Sequence, residues 1–229
     1  MALPLSNISV VIPTFHEAES LPETVQRARA NPEVCEIIVV DGGSRDDTKA
    51  VAEQLGCRVL ESPPSRGGQM RMGAAQAQGK VVLMLHADTW LPPEAGRAAL
   101  ESLGDPSVVG GGFWKTFRNP SWLMRGSRWR CGLRLRLGYG ILGDQGMFIR
   151  RDVLERIGGV PDLPLMEDVE LCRRLRKTGR LVLANATVTT SARRFAKRGV
   201  IRTYLRMWAV MIRYRLGASP EELRSLYEK

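Results

Sequence analysis

Four short apolar runs in the first half of the chain alternate with segments whose apolar residues recur at helical spacing. The runs are rich in Val and Ile and stop at turn-forming residues, which is typical of buried strands. We predict strands at 8–12, 36–40, 57–60 and 81–85. We predict helices from Ser20, where Ser-x-x-Glu has the spacing of a capping box, to Asn31, from 44–47 to Gly56, and over 72–78. This alternation indicates a parallel sheet with helices on both faces.

The second half of the chain has a less regular pattern. We predict strands at 108–113 and 146–149, edge strands at 181–184 and 187–190, helices at 151–157 and 167–177, and a last helix at about 200–216. The basic segment 119–137 contains Trp122 and Trp129, and its pattern does not decide between helix and loop. No repeat, low-complexity segment or linker divides the chain, so we expect one domain over residues 1–229.

Positive charge is concentrated in two parts of the chain. The 229 residues carry a net charge of +10, and the stretches 106–143 and 171–220 hold 20 Lys and Arg with no acidic residue. The remainder holds 14 basic and 24 acidic residues. A concentrated basic surface attracts phosphates, nucleic acid or acidic lipid, and composition alone does not choose among them.

Cysteine usage and hydropathy bear on the cellular compartment. The four cysteines lie far apart and form no CxxC pair, so we expect core thiols in a reducing compartment. They are Cys35, Cys57, Cys131 and Cys172. No run approaches the ~18 to 20 apolar residues of a membrane-spanning helix. The segment 1–11 has no Lys or Arg and is followed by Pro13, unlike a signal peptide. We expect a cytoplasmic protein, either free or resting on the inner face of a membrane.

Acidic residues follow two of the predicted strands. Asp41 follows the second strand and Asp88 the fourth, and ligands of parallel sheets sit beyond the carboxyl ends of the strands. A carboxylate there can accept hydrogen bonds from a ribose or bind a divalent cation. Each residue also has a purely structural explanation, Asp41 as turn chemistry and Asp88 as a helix N-cap. The turn after the first strand has no GxGxxG or GxxxxGK[ST], which argues against a dinucleotide fold or a P-loop.

In combination these segments resemble a known family. The matching stretches are 10–17 (VVIPTFHE), 36–48 (EIIVVDGGSRDDT), 79–88 (GKVVLMLHAD), 143–151 (GDQGMFIRR), 158–159 (GG) and 167–175 (EDVELCRRL). In order and spacing, the chain is similar to family 2 glycosyltransferases over residues 8–180, and within that family to a small bacterial subgroup with an unassigned acceptor. The resemblance implies a GT-A-like α/β domain with a mostly parallel central sheet, helices on both faces and a basic C-terminal helix. It divides the chain into a nucleotide-binding half (about 1–105), an acceptor-side half (about 106–197) and a basic amphipathic tail (198–229).

The resemblance also implies a role for each motif residue. The expected contacts to the nucleotide-sugar donor are Pro13, Thr14, Glu17, Asp41, Arg66, Gln69, His86 and Ala87. Four further residues are expected to bind substrate: Asp144, which could contact a sugar or acceptor hydroxyl, Gln145, and Arg193 and Arg194, which could reach the diphosphate. Asp88 is expected to bind Mg²⁺ or Mn²⁺. Asp168 and Glu167 are the expected catalytic residues, with Asp168 as the base. Taken singly, Asp144 fits a turn equally well, and the two arginines fit solvated side chains.

One position departs from the family pattern, because His86 replaces the first acid of the DxD motif. Histidine can bind Mn²⁺ but suits Mg²⁺ poorly, and the imidazole could instead contact the ribose or simply pack. Asp88 is then the one expected protein ligand, with a diphosphate and water supplying further oxygens.

These residue types match the chemistry of sugar transfer. The leaving diphosphate gains negative charge in the transition state, which a divalent cation on Asp88, together with Arg66, would stabilise. The attacking hydroxyl needs a general base, for which Asp168 is the candidate, and direct displacement inverts the anomeric configuration. Without the resemblance, Glu167 and Asp168 are explained more simply as acids that complement a helix dipole.

The last predicted helix is amphipathic. At 100° per residue its arginines fall within about 80° of one another. These are Arg198, Arg202, Arg206 and Arg213, with Val200, Tyr204, Met207, Trp208 and Met211 on the far side. The pattern fits a helix on an anionic membrane, which would suit a lipid-linked acceptor, and it also fits a helix packed on its own domain.

Three other functions remain open. A sugar-phosphate nucleotidyltransferase would share a related sheet, although it should carry a Gly-rich loop after the first strand. A nucleic-acid-binding protein would suit the basic charge, but no known module is recognisable, and we expect no nucleic-acid partner. The substitution at His86 also leaves room for a member that binds its ligand without catalysis.

Overall fold

The computed structural model of the protein describes residues 7–228, and for 220, 221, 224 and 228 it describes the backbone alone. The expectation about the segment 1–11 therefore lies partly outside the described residues. The strands are β1 (Ile8–Thr14), β2 (Val34–Asp41), β3 (Arg58–Glu61), β4 (Val81–Met84), β5 (Thr89–Trp90), β6 (Val108–Phe117), β7 (Met147–Arg150) and β8 (Arg180–Thr190). The helices are α1 (Leu21–Arg29), α2 (Thr48–Gln54), α3 (Arg66–Ala75), α4 (Ala95–Ser102), α5 (Ser127–Arg136), α6 (Arg151–Arg156), α7 (Glu167–Leu175), α8 (Arg193–Arg198), α9 (Val200–Arg215) and α10 (Pro220–Glu228), with 3₁₀ turns at Trp122–Met124 and Gly143–Gln145.

The described strands form one sheet in the order β3-β2-β1-β4-β7-β6-β8-β5. The strands β3, β2, β1 and β4 run parallel, as the strand–helix alternation predicts. The strand β7 is antiparallel to β4 and β6, and β5 is antiparallel to β8, whereas β6 and β8 are parallel. The mostly parallel sheet is thus confirmed. Because β5 comes from the first half of the chain and lies beside β8, both halves of the chain share this sheet.

An apolar core lies on each face of the sheet. Along β1, Ile8, Val10 and Ile12 pack on one face and Val11 on the other, because successive side chains of a strand alternate. The helices α1, α2 and α4 cover the first face, and α3, α6 and α7 cover the second. The approach of α3 requires Gly73, since a Cβ there would come 2.4 Å from Cγ1 of Val11. The prediction of helices on both faces is confirmed.

Two predicted helix starts differ from the structure. The helix α1 begins at Leu21, but Ser20 makes no side-chain capping hydrogen bond, so the predicted capping box does not form. The helix α3 begins at Arg66 and not at Met72, with Ser65 Oγ accepting a hydrogen bond from the Gly68 N–H at 3.2 Å. The glycine pair at 67–68 obscured this start in the sequence, because glycine is a poor helix former.

The two predicted edge strands at 181–184 and 187–190 are one strand, β8, which lies between β6 and β5. Phe113 pairs with Ala184, whereas the next residue, Trp114, pairs with Thr187. The residues 185 and 186 therefore form a bulge. The bulge interrupts the alternation of the side chains, which is why the pattern predicted two strands.

The C-terminal part folds back on the body of the protein. The helix α9 matches the prediction at about 200–216, whereas α8 and α10 were not predicted. Val210 of α9 and Leu223 of α10 form an apolar cluster with Leu165 and Met166. The segment 119–137 contains a 3₁₀ turn and α5. In residues 7–228 no helix has both the length and the apolar character needed to cross a bilayer.

All four cysteines are free thiols. Cys131 and Cys172 are buried, Cys57 is half-buried and Cys35 is exposed. The prediction of a core thiol is therefore wrong for Cys35. This residue lies where the pairing of β1 with β2 is irregular, so its side chain leaves the regular alternation of the strand.

Candidate active site

A crevice of about 430 Å³ lies beyond the carboxyl ends of β1 and β4. Its walls also include the first turns of α3 and α7 and residues of the C-terminal helices α8, α9 and α10. The predicted site residues that line it are Pro13, Thr14, Glu17, Arg66, Gln69, His86, Ala87, Asp88, Asp144, Asp168, Arg193 and Arg194. Asp41, Gln145 and Glu167 do not line it.

Asp168 lies on the wall of the crevice at the start of α7. Its Oδ2 accepts a hydrogen bond from the Gly143 N–H at 2.9 Å and its Oδ1 one from the Val169 N–H at 2.8 Å. Burial, reinforced by the adjacent Glu167, raises the pKa of Asp168 to about 6. The preceding Met166 has a left-handed backbone with φ of 65°, which is unusual for a residue with a long side chain. The geometry thus holds a carboxylate of high proton affinity in a fixed orientation.

Glu167 lies behind Arg66 and orients its guanidinium. Its Oε1 accepts a hydrogen bond from Arg66 Nε at 2.5 Å, and the Glu167 side chain is fully buried. Burial lowers the pKa of Arg66, but Glu167 and Asp168 more than compensate and leave it raised. Glu167 was predicted to be catalytic. Its position away from the crevice wall indicates a positioning role instead.

Arg193 of α8 joins two of the predicted site carboxylates. Its Nη1 donates to Glu17 Oε2 at 2.9 Å, its Nη2 donates to the other oxygen of Glu17, and its Nε lies 3.3 Å from Oδ2 of Asp88. Burial raises the pKa of Asp88, and Arg193 opposes this effect. Arg118 holds the backbone of the same residue by donating to the carbonyl oxygen of Asp88 at 3.1 Å. The sequence placed Arg193 near the substrate, but its ion pairs with carboxylates were not predicted.

His86 is a neutral imidazole in this crevice. Burial lowers the pKa of His86 to about 3, and the nearby Arg66 acts in the same direction. Its Nε2 is buried and has no hydrogen-bond partner in the described part of the chain. Gly143 packs against the ring, and a Cβ there would come 2.6 Å from Nε2. A side chain at position 143 would therefore force the imidazole to move.

Asp144 is held by a lysine that the sequence analysis did not select. Lys115 Nζ donates to Asp144 Oδ2 at 2.5 Å, and both side chains are largely buried. Burial alone would raise the pKa of Asp144, but Lys115 and Arg134 outweigh it and leave the pKa lowered. Oδ1 is buried and has no hydrogen-bond partner among the described residues. The sequence did contain a feature from which this ion pair could have been predicted, namely a lysine inside the largely apolar run 108–117.

Gln145 is held by hydrogen bonds to its neighbours. The side chain is fully buried, its Oε1 accepts from Arg134 and from the Leu142 N–H, and its Nε2 donates to the Phe113 carbonyl at 3.0 Å. Because this side chain does not line the crevice, a substrate contact through Gln145 stays a prediction. Gln145 fixes the 3₁₀ turn that carries Asp144.

Asp41 is saturated by hydrogen bonds within its own turn. Its Oδ2 accepts from the Gly43 and Ser44 N–H groups at 3.0 and 2.8 Å, and its Oδ1 accepts from the hydroxyls of Ser44 and Thr14 at 2.5 and 3.1 Å. Gln69 Nε2 donates to the Thr14 carbonyl at 2.8 Å, which ties α3 to the same strand end. Asp41 therefore supports the wall formed by Thr14, and a direct ligand role for Asp41 stays a prediction.

The lining side chains fall into a charged set, here called the charged end, and an apolar set, here called the apolar end, which the sequence analysis did not predict. The lining of the apolar end comes from the loop before α7, from α8 and from α9. The main apolar side chains here are Leu165, Met166, Phe195, Met207, Val210 and Met211. Arg194 also lines the crevice, stacked over Tyr227 with 4.8 Å between guanidinium carbon and ring centroid. Burial and two neighbouring arginines, Arg66 and Arg198, lower the pKa of Arg194. A cation surrounded by other cations favours an anionic ligand.

A preformed metal cage is not present in the described residues, which contain no group of three His, Cys, Asp or Glu side chains able to hold an ion. Asp88 faces the crevice with its carboxylate against Arg193. The residues present therefore fit a cation only if a bound diphosphate and water supply most of its oxygen ligands.

A comparison with models of known protein families shows to which family this chain belongs. Residues 9–158 match the family model described as Glycosyl transferase family 2, which is more than half of the chain. The chain belongs to glycosyl transferase family 2. In this family 2 member, Asp168 and the C-terminal helices lie beyond the matched residues.

A curated relative of this family 2 member is the undecaprenyl-phosphate 4-deoxy-4-formamido-L-arabinose transferase of Sodalis glossinidius (strain morsitans). The two are 34% identical over 160 residues, which is 64% of this chain and 48% of the relative. The family 2 chain thus spans about half the length of this relative.

Two solved structures have the same GT-A fold. The mannosyltransferase PcManGT from Pyrobaculum calidifontis, in complex with GDP-Man and Mn²⁺, aligns with a TM-score of 0.72 and 18% identity over 99% of this chain and 69% of that chain. Glucosyl-3-phosphoglycerate synthase from Mycobacterium tuberculosis, in complex with Mn²⁺, UDP and glucosyl-3-phosphoglycerate, aligns with a TM-score of 0.58 and 20% identity over 81% of this chain and 70% of that chain. The GT-A fold predicted for this family 2 chain is confirmed.

Proposed function

We propose that the protein is an inverting glycosyltransferase that moves a sugar from a nucleotide-diphosphate sugar to an acceptor hydroxyl. The observation that carries the proposal is the position of Asp168, an oriented carboxylate whose pKa is raised to about 6, in the same crevice as Asp88 and Arg66. Family membership and the structural neighbours with nucleotide ligands support the donor class. The division into a nucleotide-binding half and an acceptor-side half is part of this proposal.

The charged end of the crevice would hold the donor. We assign Asp88 as the protein ligand of a divalent cation, Mg²⁺ or Mn²⁺, which when bound would supply positive charge to the departing diphosphate. Arg66, oriented by Glu167, and Arg194 would add fixed positive charge at the same end. Displacement of Arg193 from Asp88 would accompany cation binding, because the two compete for one carboxylate.

Asp168 would accept the proton of the acceptor hydroxyl. Hydrogen bonds from the Gly143 and Val169 N–H groups hold its two oxygens, so the base is oriented before the substrate arrives. A base with a pKa near the working pH takes up a proton efficiently while remaining partly ionised. Attack on the face opposite the diphosphate inverts the anomeric carbon. Asp144 lines the same crevice, and we assign it to bind a sugar or acceptor hydroxyl.

The apolar end of the crevice favours an acceptor with a hydrocarbon part. Phe195, Met207 and Met211 present no charge to it, and methionine adapts to varied shapes. The name of the relative from Sodalis glossinidius also points to lipid-linked substrates. We therefore propose a lipid-linked acceptor, reached from the cytoplasmic side of the membrane.

A donor screen followed by product analysis tests this function. Nucleotide-diphosphate sugars such as GDP-mannose and UDP-GlcNAc are scanned for thermal stabilisation of the protein with and without Mn²⁺. The stabilising donor is then incubated with an octyl glycoside, which carries a hydroxyl on an apolar chain, and the product is analysed by NMR. We expect stabilisation by selected donors and a product of inverted configuration.

Retention of configuration would contradict direct displacement. Stabilisation by no nucleotide sugar, with no donor hydrolysis, would instead indicate a protein that does not use such donors. Undecaprenyl phosphate serves as a second acceptor probe. Because a phosphate oxygen is already ionised at neutral pH, transfer to it would need no base, so activity on this acceptor alone would contradict the role of Asp168.

A further inference from the structure

Exposed apolar side chains are concentrated on two helices of this protein. Of eleven large apolar side chains that are exposed in the described residues, nine lie between residues 122 and 216. Leu216 is 81% exposed and Trp122 is 74% exposed. Scattered exposed apolar residues are normal, but a contiguous group marks a binding surface.

The helix α9 has two apolar sides with different partners. Ile201, Leu205, Trp208 and Ile212 are exposed and follow one another at intervals of four, three and four residues, which places them on one face of a helix. The opposite side is buried, with Val210 packed under α10 and against the loop before α7. The expected apolar face is therefore divided, because Met207 and Met211 line the crevice whereas Trp208 faces solvent.

The helix α5 extends this exposed surface. Trp129, Leu133 and Leu137 are exposed at intervals of four residues, so they share one side of α5 and its C-terminal end. Tyr139 connects this side to α9, since its ring centroid lies 6.4 Å from that of Trp208. We call the combined surface the α5–α9 face. Its main apolar members are Trp129, Leu133, Leu137, Leu205, Trp208 and Ile212.

Arginines surround the α5–α9 face. Arg128, Arg136, Arg202 and Arg213 are exposed on the two helices, and Arg215 stacks on Tyr139 with 3.8 Å between guanidinium carbon and ring centroid. No Asp or Glu occurs in the stretches 106–143 and 171–220, which contain both helices. The face therefore combines apolar anchors with a concentration of positive charge.

We propose that the α5–α9 face docks on an anionic lipid bilayer, with α9 lying in the headgroup plane. An apolar stripe with Trp and flanking arginines gains free energy both from apolar burial at the interface and from attraction to acidic lipids. A second copy of the chain is a poor occupant. A two-fold interface places the same patch against itself, which would bring these arginines together.

Docking on this face would also place the crevice beside the membrane. The exposed side of α9 meets the bilayer, and its Met207 and Met211 line the apolar end of the crevice. The distance from headgroups to crevice is then the width of one helix, ~10 Å. This consequence for a lipid-linked acceptor rests on the proposed function, whereas the docking itself does not.

Vesicle binding by the full chain tests the proposal. The protein is mixed with vesicles of phosphatidylcholine alone or with added phosphatidylglycerol, at low and high salt, and bound protein is separated by flotation. We expect binding to the acidic vesicles that weakens with salt, little binding to pure phosphatidylcholine, and quenching of tryptophan fluorescence by brominated lipids. Absence of binding to acidic vesicles at low salt would overturn the proposal.

Matched variants locate the surface. The pair Leu205→Glu and Ile212→Glu should weaken vesicle binding at least about tenfold, because two apolar anchors become anions. Met72→Glu, an exposed methionine on α3, should bind like the unmodified protein. Arg213→Gln should weaken binding by about fivefold, as expected for one arginine near an acidic surface. Arg97→Gln, on the exposed side of α4, should have no effect.

The outcomes separate docking from catalysis. We expect the Leu205 and Ile212 variant to bind donor normally, and Asp168→Asn to bind vesicles normally. Equal vesicle binding by the Leu205 and Ile212 variant and the Met72 variant would overturn the assignment of the face. Concentration-dependent dimerisation that the Leu205 and Ile212 substitutions abolish would show that the face binds a second copy instead.

Discussion

The charged end and the apolar end of the crevice are built in different ways. At the charged end, long-range ion pairs fix three cations: Arg66 with Glu167, Lys115 with Asp144, and Arg193 with Glu17 and Asp88. At the apolar end, the wall consists of packed side chains from α8, α9 and the loop before α7. Phe195 there packs edge-on against Phe117, with 5.2 Å between the ring centroids.

This difference separates two tasks of a transferase. Oriented charges stabilise a developing negative charge best when they need not reorganise during the reaction. An apolar wall instead selects its ligand by area and shape, and small changes in it have modest effects. We therefore expect substitutions at the charged end to act on turnover and donor binding, and those at the apolar end to act on the acceptor.

The largest expected effect is that of Asp168→Asn, which removes the proposed catalytic base from the charged end. We expect kcat with a hydroxyl acceptor to fall about 1,000-fold, because a general base contributes roughly 100- to 10,000-fold. Donor affinity should be preserved, as measured by calorimetry. Asp152→Asn, on the surface of α6 beside Arg156, is the matched control and should be fully active. Near-normal turnover by Asp168→Asn would remove Asp168 as the base.

The next effect is that of Asp88→Ala on donor binding. We expect Mn²⁺-dependent affinity for the donor to fall about 10- to 100-fold, since loss of a side chain that supports a metal typically costs this much. Titration of the donor with and without Mn²⁺ measures the difference. Asp105→Ala, a half-exposed acid paired with Arg180, is the control. An unchanged metal dependence in Asp88→Ala would contradict its assignment as the ligand.

Turnover should depend on pH through Asp168. Its pKa is raised to about 6, and it acts as a base only when ionised, so the rate should fall as pH falls through that value. At one pH unit below the pKa the rate should be about tenfold below its plateau. A pH profile of kcat/KM with a hydroxyl acceptor measures this fall in rate at low pH, which is the acid limb of the profile. A rate that stays level down to pH values well below this pKa would contradict the assignment.

Glu167→Gln sharpens the same measurement. Removing the neighbouring charge lowers the pKa of Asp168, so the acid limb should move to lower pH. Glu155→Gln, on exposed α6, should leave the limb in place. A purely structural role for Glu167 would lower activity without moving the limb.

The smallest expected effect is at the apolar end. Met207→Gln keeps the length of the side chain but replaces apolar atoms by an amide. We expect KM for an octyl glycoside to rise about fourfold, which corresponds to ~0.8 kcal/mol for one lost methylene contact. Donor affinity should not change, and Met72→Gln, at an exposed position of α3, is the control. Equal effects on donor and acceptor would contradict the division of the crevice into two ends.

The amino-acid sequence alone determined the sheet and much of the charged end. Alternating apolar runs predicted β1 to β4, since strand and helix periodicity are local properties of the chain. The residues at the carboxyl ends of β1 and β4 were found for the same reason, because parallel strands bring these ends to one edge. Pro13, Thr14, His86 and Asp88 accordingly line the crevice.

Only the tertiary structure decided how these residues act. Arg66 meets Glu167 across 101 positions of the chain, and Arg193 meets Glu17 across 176. Local patterns contain no information about such distant contacts, so Glu167 was predicted to be catalytic and Gln145 to touch substrate. The two sides of α9 were likewise assigned by packing. Helical periodicity shows that a face is apolar, but not whether protein, crevice or solvent lies against it.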